Sequence, residues 1–146
     1  MSKIVLCDLD GTLSDTSHRL HHIRGGRRRD YDSFFAASGE DDPIEPVITL
    51  VNALALAGKE IHIITGRRDD TREITETWLE RHDVSYDRLL MRPFSDRTPD
   101  HVLKRQWFES GYDPADILFA LEDRARVVAM YRELGITCLQ VAEGDF

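Results

Sequence analysis

Short apolar segments alternate with amphipathic segments along this chain, and this alternation limits the possible folds more than any other feature. Five segments have the length and composition of buried strands, namely 3–7, 60–64, 88–91, 117–121 and 137–141. Helical patterns occupy the intervals between them, at about 46–57, 70–82, 99–110 and 124–134. Repeated strand–helix units of this kind predict an α/β fold of three layers, in which a mostly parallel, Rossmann-like sheet lies between helices.

The length of 146 residues suits a single domain, and we assign residues 1–146 to one. Residues 14–45 do not follow the alternation, and we expect them to form an insertion, a flap or small cap, over the edge of the sheet. A connection this long inside a compact domain is more often functional than idle. Its first part is basic and holds no acidic residue between 18 and 29, but contains His18, Arg19, His21, His22, Arg24, Arg27, Arg28 and Arg29.

The net charge of −8 argues against a protein that coats nucleic acid through a broad basic face, because such binding displaces counterions with many Lys and Arg contacts. No apolar run is long enough to cross a membrane, and the run at 4–7 is too short for a signal peptide. We therefore predict a cytoplasmic protein that does not bind membranes. Cys7 and Cys138 lie in apolar, strand-like runs, where we expect buried, reduced thiols.

Residues suited to catalysis follow three of the predicted strands. The first strand is followed by Asp8-Leu9-Asp10-Gly11-Thr12, the second by Thr65-Gly66-Arg67 and the fourth by Glu122-Asp123. Lys104 lies on the predicted helix between the third and fourth strands. Because ligands of open α/β sheets bind beyond the carboxyl ends of the strands, we predict that these residues share one site.

The two aspartates of the first segment suit a hard cation. Asp8 and Asp10 point the same way because strand side chains alternate, and Gly11 permits a sharp turn around what they hold. Mg²⁺ prefers oxygen ligands, which Asp8, a backbone carbonyl near Asp10 and a third acid such as Asp123 would supply. Asp8 could then attack phosphorus to form an aspartyl-phosphate, while Asp10 protonates the leaving oxygen and later activates water.

The remaining predicted site residues suit an anion, although each has an ordinary explanation. Thr65 is expected at a helix N-terminus, where free N–H groups favour a phosphate, and Lys104 would balance the charge of the transition state. Alternatively, Thr65 and Asp123 are helix N-caps and Lys104 is a solvated helix residue. The order of these segments, at the places where an α/β sheet builds its site, favours phosphoryl-transfer chemistry.

These segments resemble the four motifs of the haloacid dehalogenase superfamily and span nearly the whole chain. A closer resemblance, to the C-terminal phosphatase domain of bacteriophage polynucleotide kinase, rests on Leu90-Met91-Arg92, on Asp96-Arg97-Thr98-Pro99-Asp100 up to Lys104, on Glu122-Asp123-Arg124 with Val127-Val128, and on the segment 140–146. Domains of that family remove 3′-phosphates from nucleic-acid ends. The resemblance implies a magnesium-dependent phosphatase whose partner is a phosphorylated nucleic-acid end or a nucleotide.

The resemblance also implies roles for individual residues. Asp8 would be the nucleophile and Asp10 the general acid and base. The substrate phosphate would be contacted by Thr65, Gly66, Arg67 and Lys104. Asp100 precedes Lys104 by one helical turn and would orient its ammonium group, although a plain surface salt bridge has the same spacing.

This chain differs from the family pattern in its metal motif, and it has more than one candidate for the family's functional arginine. The metal motif usually begins with two aspartates but reads Glu122-Asp123-Arg124 here. We therefore expect Asp123 to be the direct metal ligand beside Asp8 and Asp10, with Glu122 binding through water or supporting the ligands. The family also has a functional arginine after the first motif, for which Arg19 is our first candidate and Arg28 our second.

The short insertion bears on the substrate. Residues 14–45 are too few for a large cap, so we expect an open site that admits a polynucleotide end and a basic flap that grips its phosphates. Tyr31, Phe34 and Phe35 would either stack on a terminal base or anchor the flap. A phosphatase for nucleotides or other small phosphoesters is the alternative, and a non-catalytic phosphate-binding module is a third. Since no Gly-x-x-x-x-Gly-Lys-Ser/Thr loop occurs, we expect no kinase activity from these residues.

Overall fold

A computed structural model describes residues 3–26 and 28–146, so Arg27 of the basic stretch lies outside the described residues. In chain order the elements are β1 (Ile4–Cys7), β2 (Ser14–Asp15), α1 (Tyr31–Ala36), β3 (Asp42–Pro43), α2 (Glu45–Leu56), β4 (Glu60–Arg68), α3 (Arg72–Arg81), β5 (Arg88–Arg92), α4 (Asp100–Gly111), β6 (Ile117–Glu122), α5 (Ala125–Glu133) and β7 (Cys138–Gln140). Short 3-10 helices occur at Ser17–His22, Ala37–Glu40, Asp69–Thr71 and Pro114–Asp116. The main sheet has the strand order β5-β4-β1-β6-β7, and every pair in it is parallel. The predicted α/β fold is confirmed.

Alternating side chains of the strands fill two apolar layers. On one face, Val5 joins the cluster that contains Val51 of α2 and Trp78 of α3. On the other face, Leu6 joins the cluster that contains Val127 of α5. Trp78 is fully buried, and truncation of a buried side chain of this size costs about 3–5 kcal/mol. The central strands are therefore fixed from both sides, which holds their carboxyl ends in register.

Strand β4 continues past its predicted end. It runs through Thr65 to Arg68, and α3 begins only at Arg72, after a 3-10 turn. The prediction that Thr65 lies at a helix N-terminus is therefore wrong. Asp123 is not a helix cap either, because the residue that directly precedes α5 is Arg124. No side-chain hydrogen bond caps this helix.

The insertion 14–45 is ordered by short elements and polar anchors. Strands β2 and β3 pair in antiparallel fashion, and Asp30 caps α1 by accepting a hydrogen bond from the Ser33 amide at 3.0 Å. Phe34 and Phe35 are buried, as the anchoring alternative predicts for them, while Tyr31 is 42% exposed. The Trp78 indole of α3 donates to the Asp41 carbonyl at 2.8 Å, which ties the insertion to the core.

The two cysteines lie in β1 and β7. Cys7 and Cys138 are buried and free, as expected. Within residues 3–26 and 28–146, no helix has both the length and the apolar character needed to cross a membrane.

Candidate active site

Asp8 lies at the end of β1, in the centre of the sheet, and is almost fully buried. Its Oδ1 accepts a hydrogen bond from Lys104 Nζ at 2.8 Å, and its Oδ2 accepts one from Thr12 Oγ1 at 3.1 Å. Its backbone amide donates to the Leu121 carbonyl of β6 at 3.0 Å, which fixes the strand end. Burial and the nearby charge of Glu122 raise the pKa of Asp8 well above its usual range, against the lowering effect of Lys104.

Three buried carboxylates surround this position. Asp8, Glu122 and Asp123 each offer an oxygen, and these oxygens lie within 4.8 Å of one another. A Cβ on Gly11 would collide with the Asp123 carboxylate, so the glycine at φ +82° lets the loop after β1 close over that acid. Burial raises the pKa of Glu122 to about 7 despite Lys104. Clustered buried carboxylates repel one another, and a divalent cation relieves that repulsion, so the donor set fits Mg²⁺. The carboxylate of Asp10 lies outside this group.

Lys104 projects from α4 into the same cluster. Its Nζ also donates to Glu122 Oε2 at 2.9 Å and lies 3.5 Å from Asp100 Oδ2. Burial alone would lower the pKa of Lys104, but the surrounding carboxylates, Asp100 first, raise it well above its usual value. The lysine is therefore a fixed positive charge beside the predicted nucleophile.

Asp100 sits between three cations rather than on the surface. Arg92 Nη2 and Arg124 Nη1 each approach it at 3.7 Å, in addition to Lys104. Its carboxylate packs against the backbone of Gly66, where any Cβ would collide with it. The Gly66 carbonyl in turn accepts a hydrogen bond from Arg92 Nε at 2.9 Å. Gly66 thus permits a close approach of α4 to β4.

The Asp10 side chain is paired with two buried arginines. Its Oδ1 accepts hydrogen bonds from Arg19 Nη2 at 2.8 Å and from Arg67 Nη2. Burial alone would raise the pKa of Asp10, but the charges of Arg67 and Arg19 outweigh that effect and hold the pKa at about 2. Asp10 is therefore ionised at neutral pH in the absence of substrate.

Arg19 does not lie where a phosphate-gripping flap would place it, whereas Arg67 of β4 lines the same cleft as Asp8. Arg19 is 0% exposed, and its Nε and Nη2 donate to the two carboxylate oxygens of Asp41 at 2.8 Å each. Arg67 is buried as well and donates to Thr75 Oγ1 at 3.0 Å. Both guanidinium groups face Asp10, so the structure places them around the predicted acid. Arg28 is exposed and lines the cleft.

Asp41 is a site residue that sequence reasoning missed. It lies in the acidic stretch of the insertion and accepts hydrogen bonds from Arg19, from Arg67 at 3.4 Å and from His18 Nε2 at 2.7 Å. It is one of three consecutive acidic residues, 40–42, and nothing in the sequence indicates that one of them is buried. The absence of any acid among residues 18–29 was the available signal, since a buried arginine needs a distant carboxylate.

Thr65 lies on β4, the strand that pairs with β1, and Asp8 directly follows β1. Residues Cys7 and Ile63 are partners in the β1–β4 register, which puts Thr65 two residues beyond that pair. Its Oγ1 accepts a hydrogen bond from the Arg67 amide at 3.0 Å. Thr65 is buried and lines the cleft together with Asp8.

A cleft of about 1690 Å³ opens over the site, and its lining includes Asp8, Asp10, Thr65, Glu122 and Asp123. That volume exceeds the range of about 300–1,000 Å³ that is common for small-molecule sites. Arginines from three parts of the chain also line the cleft: Arg24, Arg28 and Arg29 from the insertion, Arg92 at the end of β5 with Arg97 in the loop that follows, and Arg124 before α5. The cleft suits an anionic substrate that is larger than a metabolite.

Comparisons with known proteins agree with this geometry. The family model described as "Polynucleotide kinase PNKP phosphatase domain" matches residues 2–146. A putative bifunctional polynucleotide kinase/RNA ligase of Autographa californica nuclear polyhedrosis virus is 31% identical over 137 residues, which are 92% of this chain and 18% of that protein.

Solved structures give the same result. A chain in the structure of the Pnkp1/Rnl/Hen1 complex has a TM-score of 0.82 and 33% identity, over 99% of this chain and 47% of that one. A predicted phosphatase from Clostridium acetobutylicum has a TM-score of 0.71 at 16% identity, over 96% of this chain and 84% of that one, and supports the fold alone. The chain thus spans less than half of the length of the Pnkp1 structure and a fifth of the viral relative.

Proposed function

The chain belongs to the family of polynucleotide kinase PNKP phosphatase domains, and on that premise we propose that it removes 3′-phosphates from nucleic-acid ends. The chain is a phosphatase of the haloacid dehalogenase type, since the family model and the fold agree. The proposed reaction depends on magnesium and proceeds through an aspartyl-phosphate on Asp8. The observation that carries it is the buried Asp8, held at 2.8 Å by Lys104 beside two further carboxylates.

Asp8 and Asp123 would hold the cation, and Glu122 would support them through its hydrogen bond from Lys104. Bound there, magnesium would offset the repulsion between the Asp8 carboxylate and an incoming phosphate and orient a phosphate oxygen. Lys104 contributes a second, permanent positive charge at the same place. Asp100 keeps that ammonium group in position.

In the first step, an oxygen of Asp8 attacks phosphorus and the bond from phosphorus to the 3′-oxygen breaks. Asp10 donates a proton to the leaving 3′-oxygen, which becomes a hydroxyl group. A pKa of about 2 leaves Asp10 ionised before substrate arrives. The negative charge of the phosphate would raise that pKa, because a second anion nearby disfavours the ionised carboxylate. Asp10 would then take up one proton from solvent as substrate binds, and this is the proton that it passes to the leaving oxygen.

In the second step, Asp10 accepts a proton from water as the water oxygen attacks phosphorus. The bond between phosphorus and the Asp8 oxygen breaks, so phosphate leaves and the Asp8 carboxylate is restored. Arg19 and Arg67 hold the acid in place through both steps, since each donates to Asp10 Oδ1. We therefore assign these arginines to positioning Asp10 rather than to gripping distant phosphates.

The polynucleotide substrate is supported by the open cleft, by its arginine rim and by the family. One relative is named for RNA ligation and a similar structure is named as the Pnkp1/Rnl/Hen1 RNA repair complex, and both names favour RNA ends in particular. A nucleotide phosphatase would share the floor of the site and would make no use of the rim.

The test compares one oligonucleotide sequence with a 3′-phosphate, the same sequence with a 5′-phosphate, and a 3′-mononucleotide. Each is offered as RNA and as DNA, with magnesium and with a chelator. We expect magnesium-dependent release of phosphate from the 3′-phosphorylated oligonucleotide, well above that from the other two. A preference for the mononucleotide would contradict the proposal and favour the alternative.

The nucleophile is tested with Asp8→Asn. We expect phosphate release to fall by about a thousandfold or more, because the reaction then lacks its attacking oxygen. The thermal unfolding midpoint should stay close to that of the unaltered protein or rise, since one of three repelling carboxylates is removed. Activity equal to that of the unaltered protein would contradict the mechanism.

A further inference from the structure

Four side chains form a continuous stack at the mouth of the cleft. The Tyr31 and Phe35 rings lie 6.1 Å apart with an interplanar angle of 25°. The Arg68 guanidinium carbon lies 5.1 Å from the centre of the Phe35 ring and 4.8 Å from the centre of the Phe94 ring. All four side chains line the same cleft as Asp8.

The arginine in this stack is not placed to bind phosphate. Arg68 donates to both carboxylate oxygens of Asp70, at 3.1 and 2.9 Å, and to Asp32 Oδ1 of the insertion at 2.8 Å. Two carboxylates therefore neutralise its charge and fix the plane of its guanidinium. What this arrangement provides is a flat, rigid support between two aromatic rings.

Phe94 is the exposed end of that support. It lines the cleft and is 58% exposed, even though Arg68 lies over its ring. Its backbone amide donates to Asp69 Oδ1 at 2.9 Å. Arg92 donates to the Asp96 and Thr98 carbonyls and closes the loop that carries Phe94. An exposed phenylalanine is thus held in place before any ligand binds.

Anchoring of the insertion does not account for this residue. Phe34 and Phe35 already do so from buried positions, and the Trp78 contact with Asp41 ties the insertion to the core. An aromatic face that is held rigid and left open at a cleft of this charge suits a nucleobase, because every base has a π-face that stacks without regard to sequence.

We propose that the Phe94 ring, backed by Arg68, is a stacking platform for an unpaired nucleobase near the 3′ end of the substrate. The platform rests on the proposed function and adds to it how the enzyme would recognise a strand end rather than any phosphate. Its ligand class is a single-stranded end, in which a base is free to leave its neighbours. Sequence preference is not expected, since stacking is tolerant of base identity.

The experiment uses two 3′-phosphorylated oligonucleotides, one normal and one whose last two nucleotides are abasic. Both carry the same phosphate and backbone, so they differ only in what can stack. The proteins are the unaltered chain, Phe94→Ala, Phe94→Trp and Tyr31→Ala. Leu56→Ala is the control, at an exposed residue that does not line the cleft.

For Phe94→Ala we expect KM on the normal oligonucleotide to rise by roughly tenfold with kcat little changed, the usual size of a lost base-stacking contact. On the abasic oligonucleotide the change should be less than about twofold. Phe94→Trp should retain the difference between the two substrates. Leu56→Ala should behave as the unaltered protein on both.

Several outcomes would overturn the platform. One is an equal loss on both oligonucleotides, which would mean that Phe94 only supports its loop, and another is no loss at all. A base-dependent loss in Tyr31→Ala but not in Phe94→Ala would put the stacking at the other end of the row. If the unaltered protein hydrolyses other phosphomonoesters but not the 3′-phosphorylated oligonucleotide, the proposed function fails first, and the platform fails with it.

Discussion

At the scale of single residues, the charge around Asp10 decides how the enzyme would work. Two arginines without exposed surface share one of its oxygens and hold its pKa at about 2. An acid held this firmly ionised cannot donate a proton until something nearby changes. In the proposed mechanism, arrival of the substrate dianion would be that change, which would link proton transfer to substrate binding.

Arg19 and Arg28 provide a matched pair of substitutions. Arg19→Ala removes a buried partner of Asp10, so we expect kcat to fall by roughly a hundredfold or more. The salt dependence of turnover in this variant should not change, because Arg19 has no exposed surface to offer a substrate phosphate. Arg28→Ala should keep kcat and reduce the slope of log kcat/KM against log salt by about one.

The measurement is turnover of a 3′-phosphorylated oligonucleotide over a series of salt concentrations. Arg126→Ala, at an exposed residue of α5 outside the cleft, is the control for loss of a surface charge. If Arg19→Ala and Arg28→Ala change the salt slope by the same amount, the assignment of Arg19 to Asp10 is wrong.

At the scale of secondary-structure elements, the insertion and the core share a polar anchor. The Asp41 carboxylate binds Arg19, and its carbonyl accepts the Trp78 indole, so one residue links α3, the insertion and the acid. Neither Arg19 nor Asp41 has appreciable exposure. Breaking one partner of a buried ion pair leaves the other charge uncompensated.

Asp41→Asn therefore should lower the free energy of unfolding by about 3 kcal/mol. Asp42→Asn is the matched control, because Asp42 is adjacent and exposed, and it should change stability by less than about 0.5 kcal/mol. Chemical denaturation of the three proteins, followed by tryptophan fluorescence, measures both effects. Similar values for the two variants would show that the buried pair contributes little.

The elements that follow an apolar pattern were predictable from the sequence, and those held by polar contacts were not. Runs such as 117–121 and 124–134 carry their own periodicity, and β6 and α5 occupy Ile117–Glu122 and Ala125–Glu133. The extension of β4 through Thr65 to Arg68 shows no such periodicity, because its side chains bond to Asp10, Asp32 and Asp70.

The residues of the candidate site also divide into those that were predictable from the sequence and those that were not. Asp8, Lys104 and Asp123 follow or lie between predicted strands, so topology alone brings them together. The pairing of Arg19 with Asp41 joins residues 22 apart across an insertion without a repeating pattern. Phe94 was not predictable as a binding residue, because an isolated phenylalanine in a loop has no sequence pattern that indicates a ligand. Its position becomes informative only once the structure places Arg68 over its ring.

At the scale of the whole molecule, a basic rim is set on an acidic protein. The net charge is −8, yet exposed arginines from the insertion and from the segment around Arg97 line the cleft. Long duplexes would be repelled by most of the surface, while an end that enters the cleft meets local positive charge.

The charge of the carboxylate group also predicts how pH and magnesium affect stability. The pKa of Glu122 is about 7 in the folded state against 4.5 for an ordinary Glu, and that of Asp8 is raised as well. The folded state then binds protons more tightly, so the metal-free protein loses stability as pH rises between those values. Asp10 has a lowered pKa, so its titration affects stability only at far lower pH.

Magnesium should therefore raise the thermal unfolding midpoint more at about pH 8 than at about pH 5.5, because protons compete for the same oxygens. The midpoint with and without magnesium is measured at both pH values, so effects of other titrating groups cancel. In Asp123→Asn the magnesium-induced difference should be largely lost. Equal shifts at both pH values would exclude these carboxylates as the ligands.

The anchor at Asp41 limits how this enzyme can be redesigned. Cap and flap regions are attractive modules to exchange when a new substrate range is wanted. Here a transplant of the whole of 14–45 would also replace Arg19 and Asp41. The hydrogen bond from Arg19 to Asp10 would be lost with them. Libraries confined to Arg24, Arg28 and Arg29 would vary the rim and leave the contacts of Asp10 intact.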